Sequence, residues 1–143
     1  MLDVKDLSAQ HLAWAHDEAM LTQLNSGTVK IESLFVDSFH DGLVMYATKM
    51  ADSNTIELTD DGWTNDNLES HGLYLNRSPK RSHDLLNQLH AYGVVWKDEE
   101  LTITGNSNDF GRLTNQLLQA MIFVNNMFVL APEQTASGKQ KAR

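Results

Sequence analysis

The chain has no cysteine among its 143 residues. That excludes a disulfide framework, thiolate-bound zinc and iron–sulfur clusters, and it suits a reducing compartment. Long apolar runs are missing too. The best candidate, "LLQAMIFVNNMFVLA", is broken by Asn125 and Asn126 and falls short of the ~20 residues a membrane helix needs. The N-terminus, "MLDVKDLSAQHLAWAHDEAM", lacks a basic n-region and an unbroken apolar h-region, so it does not read as a signal peptide. No phosphate-binding loop, Gly-x-Ser-x-Gly elbow, dinucleotide fingerprint or His-x-x-x-His pair occurs. The histidines read as surface or capping residues. Trp14, Trp63 and Trp96 are widely spaced and read as core or staple residues rather than a stacking platform. A soluble protein of the bacterial or infected-host cytoplasm, with no cofactor and no metal, is the expectation.

What the chain does have is an ordinary apolar share, 41%, enough for a single domain with a real core. It also carries a charge of −8, unevenly spread. Residues 1–76 set three lysines against thirteen acids, a net of −10, whereas residues 77–143 set eight cations against six acids, a net of +2. An acidic half repels a phosphate backbone and either keeps the surface soluble or docks on a basic partner.

Periodicity predicts the elements. Residues 8–25 read as a first helix capped by Ser8, with Leu12, Ala13, Ala19, Met20 and Leu24 at helical spacing, stopped by Asn25-Ser26-Gly27. "TVKIESLFV", with a phase shift near Leu34, "GLVMYATKM" and "TIEL" read as strands joined by hairpin links. "ELTDDGWTND" then reads as a strand-to-helix corner: Asp60-Asp61-Gly62 is turn chemistry, Thr64 is a possible N-cap, and Trp63 and Leu68 stand at staple spacing. Asp60 is the residue this corner leaves least constrained. Gly72 ends the short helix. A further helix runs from Ser78 and Pro79 to Gly93 with Leu85, Leu86 and Leu89 on its buried face, followed by a hairpin turning at Lys97–Glu99. Leu113, Leu117, Met121, Val124 and Phe128 mark a final core helix starting at Ser107 or Asp109 and ended by Pro132. The order α-βββ-α-α-ββ-α predicts an α+β domain over residues 1–131, with an antiparallel sheet of about five strands covered by helices on one face. Residues 132–143 read as a disordered basic tail.

Across residues 12–128 the words "LAWAHDEA", "VKIESLFVDSFHDGLVMYA", "IELTDDGWTNDNLESHGLYL", "KRSHDLLNQLHAYGV" and "LLQAMIFVNNMF" stand in this order. The chain resembles the bacterial and phage family known as domain of unknown function 1828. "LTDDG" with its short helix is the most specific word, and the spacing of Phe35, Asp37 and Asp41 fits as well. Ser33-Leu34 stands where Thr-Pro is expected, so that turn differs. The resemblance implies the fold and an association with bacteria, phages and prophages, and carries no reaction.

Three constellations bear on chemistry. Asp37, His40 and Asp41, with Glu57 or Asp60 across the sheet, could hold a divalent ion or move protons, but the lysine of a Glu-x-Lys nuclease motif is missing after Glu57. Turn chemistry accounts for the cluster more simply. Arg77, Lys80 and Arg81 ring a helix start, where they oppose the dipole and either pair with acids or bind an anion. A winged-helix reading fails on charge, because Asp98, Glu99 and Glu100 outvote Lys97 at the wing tip.

The expected function is a non-enzymatic, phage- or prophage-type acidic binding protein. It would occupy a basic protein surface through Asp37, Asp41, Asp60, Asp61, Asp66 and Glu69, in one form as an inhibitor of a nucleic-acid-handling host defence enzyme. The alternative is a nucleic-acid binder or metal-dependent nuclease using Asp41, Glu57, Asp60 and the Arg77–Lys80–Arg81 cluster. Homo-oligomerisation through the helix at 110–131 is compatible with either.

Overall fold

The structure, a computed structural model, describes residues 1–36, 42–51, 53–75 and 79–127. Asp37, His40, Asp41, Arg77, the Ser78 cap, Phe128, Pro132 and the tail 132–143 therefore lie outside the described residues. Helix α1 (Val4–Glu18) opens the chain, and Asp3 caps it by accepting the Lys5 N–H. Strands β1 (Met20–Asn25), β2 (Thr28–Val36), β3 (Gly42–Lys49) and β4 (Thr55–Thr59) follow, then α2 (Trp63–Ser70), α3 (Pro79–Ala91), β5 (Val95–Lys97), β6 (Glu100–Asn106), a 3-10 turn and α4 (Phe110–Asn125). The six strands form one antiparallel sheet in the order β1-β2-β3-β4-β6-β5.

The α+β class and the antiparallel sheet agree with the sequence. The first helix does not. It ends at Glu18, and residues 20–25, expected as its second half, form a sixth strand. Ala19 is already extended, with ψ 137°. The reason is non-local: Leu21 faces Ile31 and Gln23 faces Val29 along the edge of β2, so ladder bonds replace helical ones. Asn25-Ser26-Gly27 becomes the hairpin turn, with the Gly27 N–H donating to Asn25 Oδ1 at 2.8 Å. The phase shift near Leu34 corresponds to a register shift in the β2–β3 pairing between Glu32 and Val36.

One face of the sheet makes the core. Ile31, Leu43, Met45, Ala47, Leu58, Leu101 and Ile103 alternate inward. They meet Leu68 of α2, Leu85 and Leu89 of α3, and Leu113, Leu117, Leu118, Met121 and Val124 of α4. The opposite face carries Lys30, Glu32, Tyr46, Glu57, Thr59 and Thr104, the alternation of a half-solvated antiparallel sheet. Leu86, expected in the core, is exposed. Gly105 lets α4 start tightly against β6, because a Cβ there would stand 2.8 Å from Leu113 Cδ2.

Both short helices end as the glycines predict. Gly72 and Gly93 are left-handed (φ 86° and 73°). Leu73 N–H donates to the Leu68 carbonyl and Gly72 N–H to Glu69; Val94 and Gly93 repeat the pattern on Leu89 and His90. These are two Schellman motifs, each sealed by a buried aliphatic contact.

Candidate partner-binding surface

The corner after β4 is built on Asp60. Its backbone N–H donates to the Leu101 carbonyl, and its Oδ1 takes the Leu101 N–H at 3.0 Å, so the side chain extends the β4–β6 ladder by one rung. The same carboxylate accepts from Gly62 N–H at 2.9 Å and Thr64 N–H at 3.1 Å. Asp60 is 1% exposed. Burial pushes its carboxyl above the usual range, against the hydrogen bonds from Thr64, Gly62 and Leu101 that hold it down. Far from being loosely constrained, it is the keystone of the corner. Of the residues expected at a contact surface, it lies inside and supports the others.

Asp61 (φ 58°) and Gly62 (φ 78°) are the central residues of a tight turn closed by Trp63 N–H on the Asp60 carbonyl. Helix α2 starts at Trp63, one residue before the expected cap at Thr64, and Gly62 takes the N-cap place. The Thr64 backbone N–H is satisfied from Asp60 instead. Trp63 packs against the core beside fully buried Leu68. Asp66, in the first turn of α2, is exposed, where the helix dipole favours an anion.

A second acidic turn comes to the same place. The β5–β6 hairpin turns on Asp98 and Glu99, both left-handed (φ 52° and 64°). Among the described residues, the three non-glycine left-handed positions are Asp61, Asp98 and Glu99. Asn65, almost fully buried, holds the two segments together by donating to Glu69 Oε2 at 3.2 Å and Glu99 Oε2 at 3.3 Å. Thr59 donates to Glu100. Asp61, Asp66 and Glu69 are thereby joined by Asp98, Glu99 and Glu100. In the sequence these three signalled only a wing tip unfit for nucleic acid, and nothing local linked them to residues some thirty positions earlier. The ion pairs among the described residues, His16–Asp17, Lys30–Glu32 and Arg112–Asp109, use none of the first three.

Beside the corner, where β3 runs on past the end of β4, lies a cleft of about 300 Å³. Asp61, Asp66 and Trp63 rim one side and Lys30, Val44 and Tyr46 the other.

The remaining candidates are scattered. Leu58 points into the core, so Glu57, its neighbour on the strand, faces the opposite side of the sheet from the internal Asp60 carboxylate. The two do not converge. Lys80 is exposed in the first turn of α3, and Arg81 follows it. The apolar stripe of α4, considered for oligomerisation, is buried in the chain's own core. Trp96 packs against that core, but Trp14 stands half-exposed on α1.

No helix among the described residues is long and apolar enough to cross a membrane. A family model described as "Domain of unknown function DUF1828" matches residues 33–124. No curated protein and no solved structure matches the chain.

Proposed function

Since the chain belongs to the DUF1828 family, whose description names no reaction, we propose from the site alone that it is a cytoplasmic, non-enzymatic protein-binding module. It presents the β4–α2 corner and the β5–β6 tip to a basic partner surface. The supporting observation is the meeting of two acidic turns whose left-handed positions hold Asp61, Asp98 and Glu99. Glycine or asparagine would fill such positions at lower backbone cost. The turns themselves require left-handed backbone, and acids at all three of these positions place negative charge where the two turns meet. The cleft suits an arginine anchor from the partner: Asp61 and Asp66 offer acceptors for a guanidinium fork, and Trp63 and Tyr46 offer aromatic surface. The basic face of a nucleic-acid-handling enzyme, including a host defence enzyme met by a phage or prophage protein, is the form of partner this chemistry fits.

The test is capture of partners on immobilised protein from extract of the native host, eluted with a salt gradient. Basic proteins released by moderate salt, and lost with the Asp61→Lys/Asp66→Lys/Glu69→Lys variant, are expected. Partners that are acidic, or that the triple variant retains at the same salt, overturn the reading.

A further inference from the structure

The two ends of the sheet are finished differently. β5 is a three-residue edge followed by the charged Asp98–Glu99 turn, the protected kind of edge natural sheets use. β1 is a six-residue edge, MLTQLN, without a charge or a proline and with every residue exposed. Its apolar side chains point to both sides. Leu21 stands on the core side opposite Ile31 and is 58% exposed, while Met20 stands opposite Glu32 on the other face. Immediately before it, α1 buries no residue at all. Its apolar stripe, Val4, Leu7 and Trp14, is exposed, with the His11 ring 6.1 Å from Trp14. A solitary helix of this length is marginal in water without a packed face. A groove of about 340 Å³ runs inward from the same edge, lined by Leu21, Val29, Ala47, Ile56 and Phe110.

We propose that this edge is a dimer interface, and that its occupant is a second copy of the chain. Antiparallel pairing of β1 with its copy obeys a two-fold axis, so the contact closes at two and leaves no further β1 edge. It joins the two six-stranded sheets edge to edge and satisfies the free N–H and C=O groups of β1. The α1 stripes and the groove are covered across the axis. Val4, Leu7 and Trp14 of the stripe and Met20, Leu21 and Leu24 of β1 are all exposed. At on the order of 100 Å² apiece they offer up to roughly 600 Å², to which the paired β1 backbones add, against the ~800 Å² per partner of a standard interface. Charge favours the β1 strand over the β5 edge, because β1 carries no charged residue and β5 runs into the acidic Asp98–Glu99 turn. The chain is net −8, and copies must keep their acidic surfaces apart. The acidic turns follow β4 and β5, three to five strands away from β1. At ~4.8 Å per strand they lie about 15–25 Å from the axis in each copy, so the two surfaces are separated by more than the ~8–10 Å Debye length.

Light scattering and sedimentation of the full chain test this. The expected mass is twice the 16.1 kDa of the chain, at concentrations above the ~1 µM limit of standard-size interfaces. Leu21→Lys and Leu24→Lys, at exposed positions, are expected to give monomers with unchanged far-UV circular dichroism. Asp61→Lys/Asp66→Lys is expected to remain dimeric, which separates this proposal from the partner-binding one. Hydrogen exchange of the wild-type protein is expected to show β1 and α1 amides gaining protection as concentration rises. A wild-type monomer with concentration-independent exchange overturns the proposal, as does a dimer that both lysine variants retain. Open-ended growth beyond two copies, or a monomer that instead co-sediments with lipid vesicles, overturns it equally.

Discussion

Asp60 shows how one buried carboxylate can organise a corner. Three backbone N–H groups depend on it, and each donor left unsatisfied in a buried place costs ~1–3 kcal/mol. Asp60→Ala is expected to lower stability by about 2–5 kcal/mol, measured by urea unfolding. Its pH dependence has a definite sign. The folded carboxyl binds its proton more tightly than the unfolded one, whose value is near 3.8. Its contribution is therefore greatest below that value and is lost as pH rises through the raised folded value. Relative to Asp60→Asn, which does not titrate, the wild-type protein is expected to lose melting temperature as pH rises from the acid range to neutrality. A constant difference would show that the carboxyl is not shifted. Glu99 makes the converse case. Its left-handed backbone costs a non-glycine residue roughly 1–2 kcal/mol, partly offset by the Asn65 contact. Glu99→Gly is expected to stabilise by up to ~1 kcal/mol while weakening capture of a basic partner. Such a trade-off between stability and activity is what a functional acid predicts. Asp60 and Asp61 were legible as turn residues because aspartate and glycine announce tight geometry locally. That Asp60 reaches Leu101, 41 residues on, was not legible, because a side chain standing in for a strand carbonyl leaves no local signature.

At the scale of elements, strong periods and stop signals were decisive. Helix α4 carries its apolar residues at regular spacing and buries them. Leu117→Ala is expected to cost 2–5 kcal/mol in urea unfolding, as large core truncations do, roughly. Gly72 and Gly93 stand where helix-ending glycines were expected, and alanine at either should cost about 1 kcal/mol. The N-terminal region behaves otherwise. Residues 20–25 hold a pattern compatible with helix or strand, and the free edge of β2 resolved it. Leu12 sat at a helical core spacing yet stands 68% exposed. Leu12→Ala is expected to change the stability of the dissociated monomer by less than ~0.5 kcal/mol. A cost like that of Leu117→Ala would show that α1 packs on its own chain.

For the whole molecule, the fold gathers acids from both halves of the sequence, Asp61, Asp66 and Glu69 from the first and Asp98, Glu99 and Glu100 from the second. Acidic turns gather at the β4–α2 and β5–β6 end, and the uncharged edge and bare helix occupy the other. A dimer through β1 would carry two acidic surfaces facing away from each other, raising avidity for a partner with repeated basic sites. Increasing salt is expected to weaken partner capture while leaving the apolar dimer contact in place. Measured together on one sample, salt-sensitive capture and a salt-insensitive mass would separate the two kinds of contact.

The sequence by itself determined the α+β class, most strands, the helix stops and the acidic excess, because these follow from short-range periodicity, glycine conformation and counting. It also singled out "LTDDG" as the distinctive word of the chain. Only the tertiary structure decided that residues 20–25 pair with β2, that Asp60 is internal, and that Glu99 and Glu69 meet on one asparagine. Each of those outcomes depends on contacts between segments brought together by the sheet, and ladder pairing and long-range burial are set by partners that no local stretch of sequence contains.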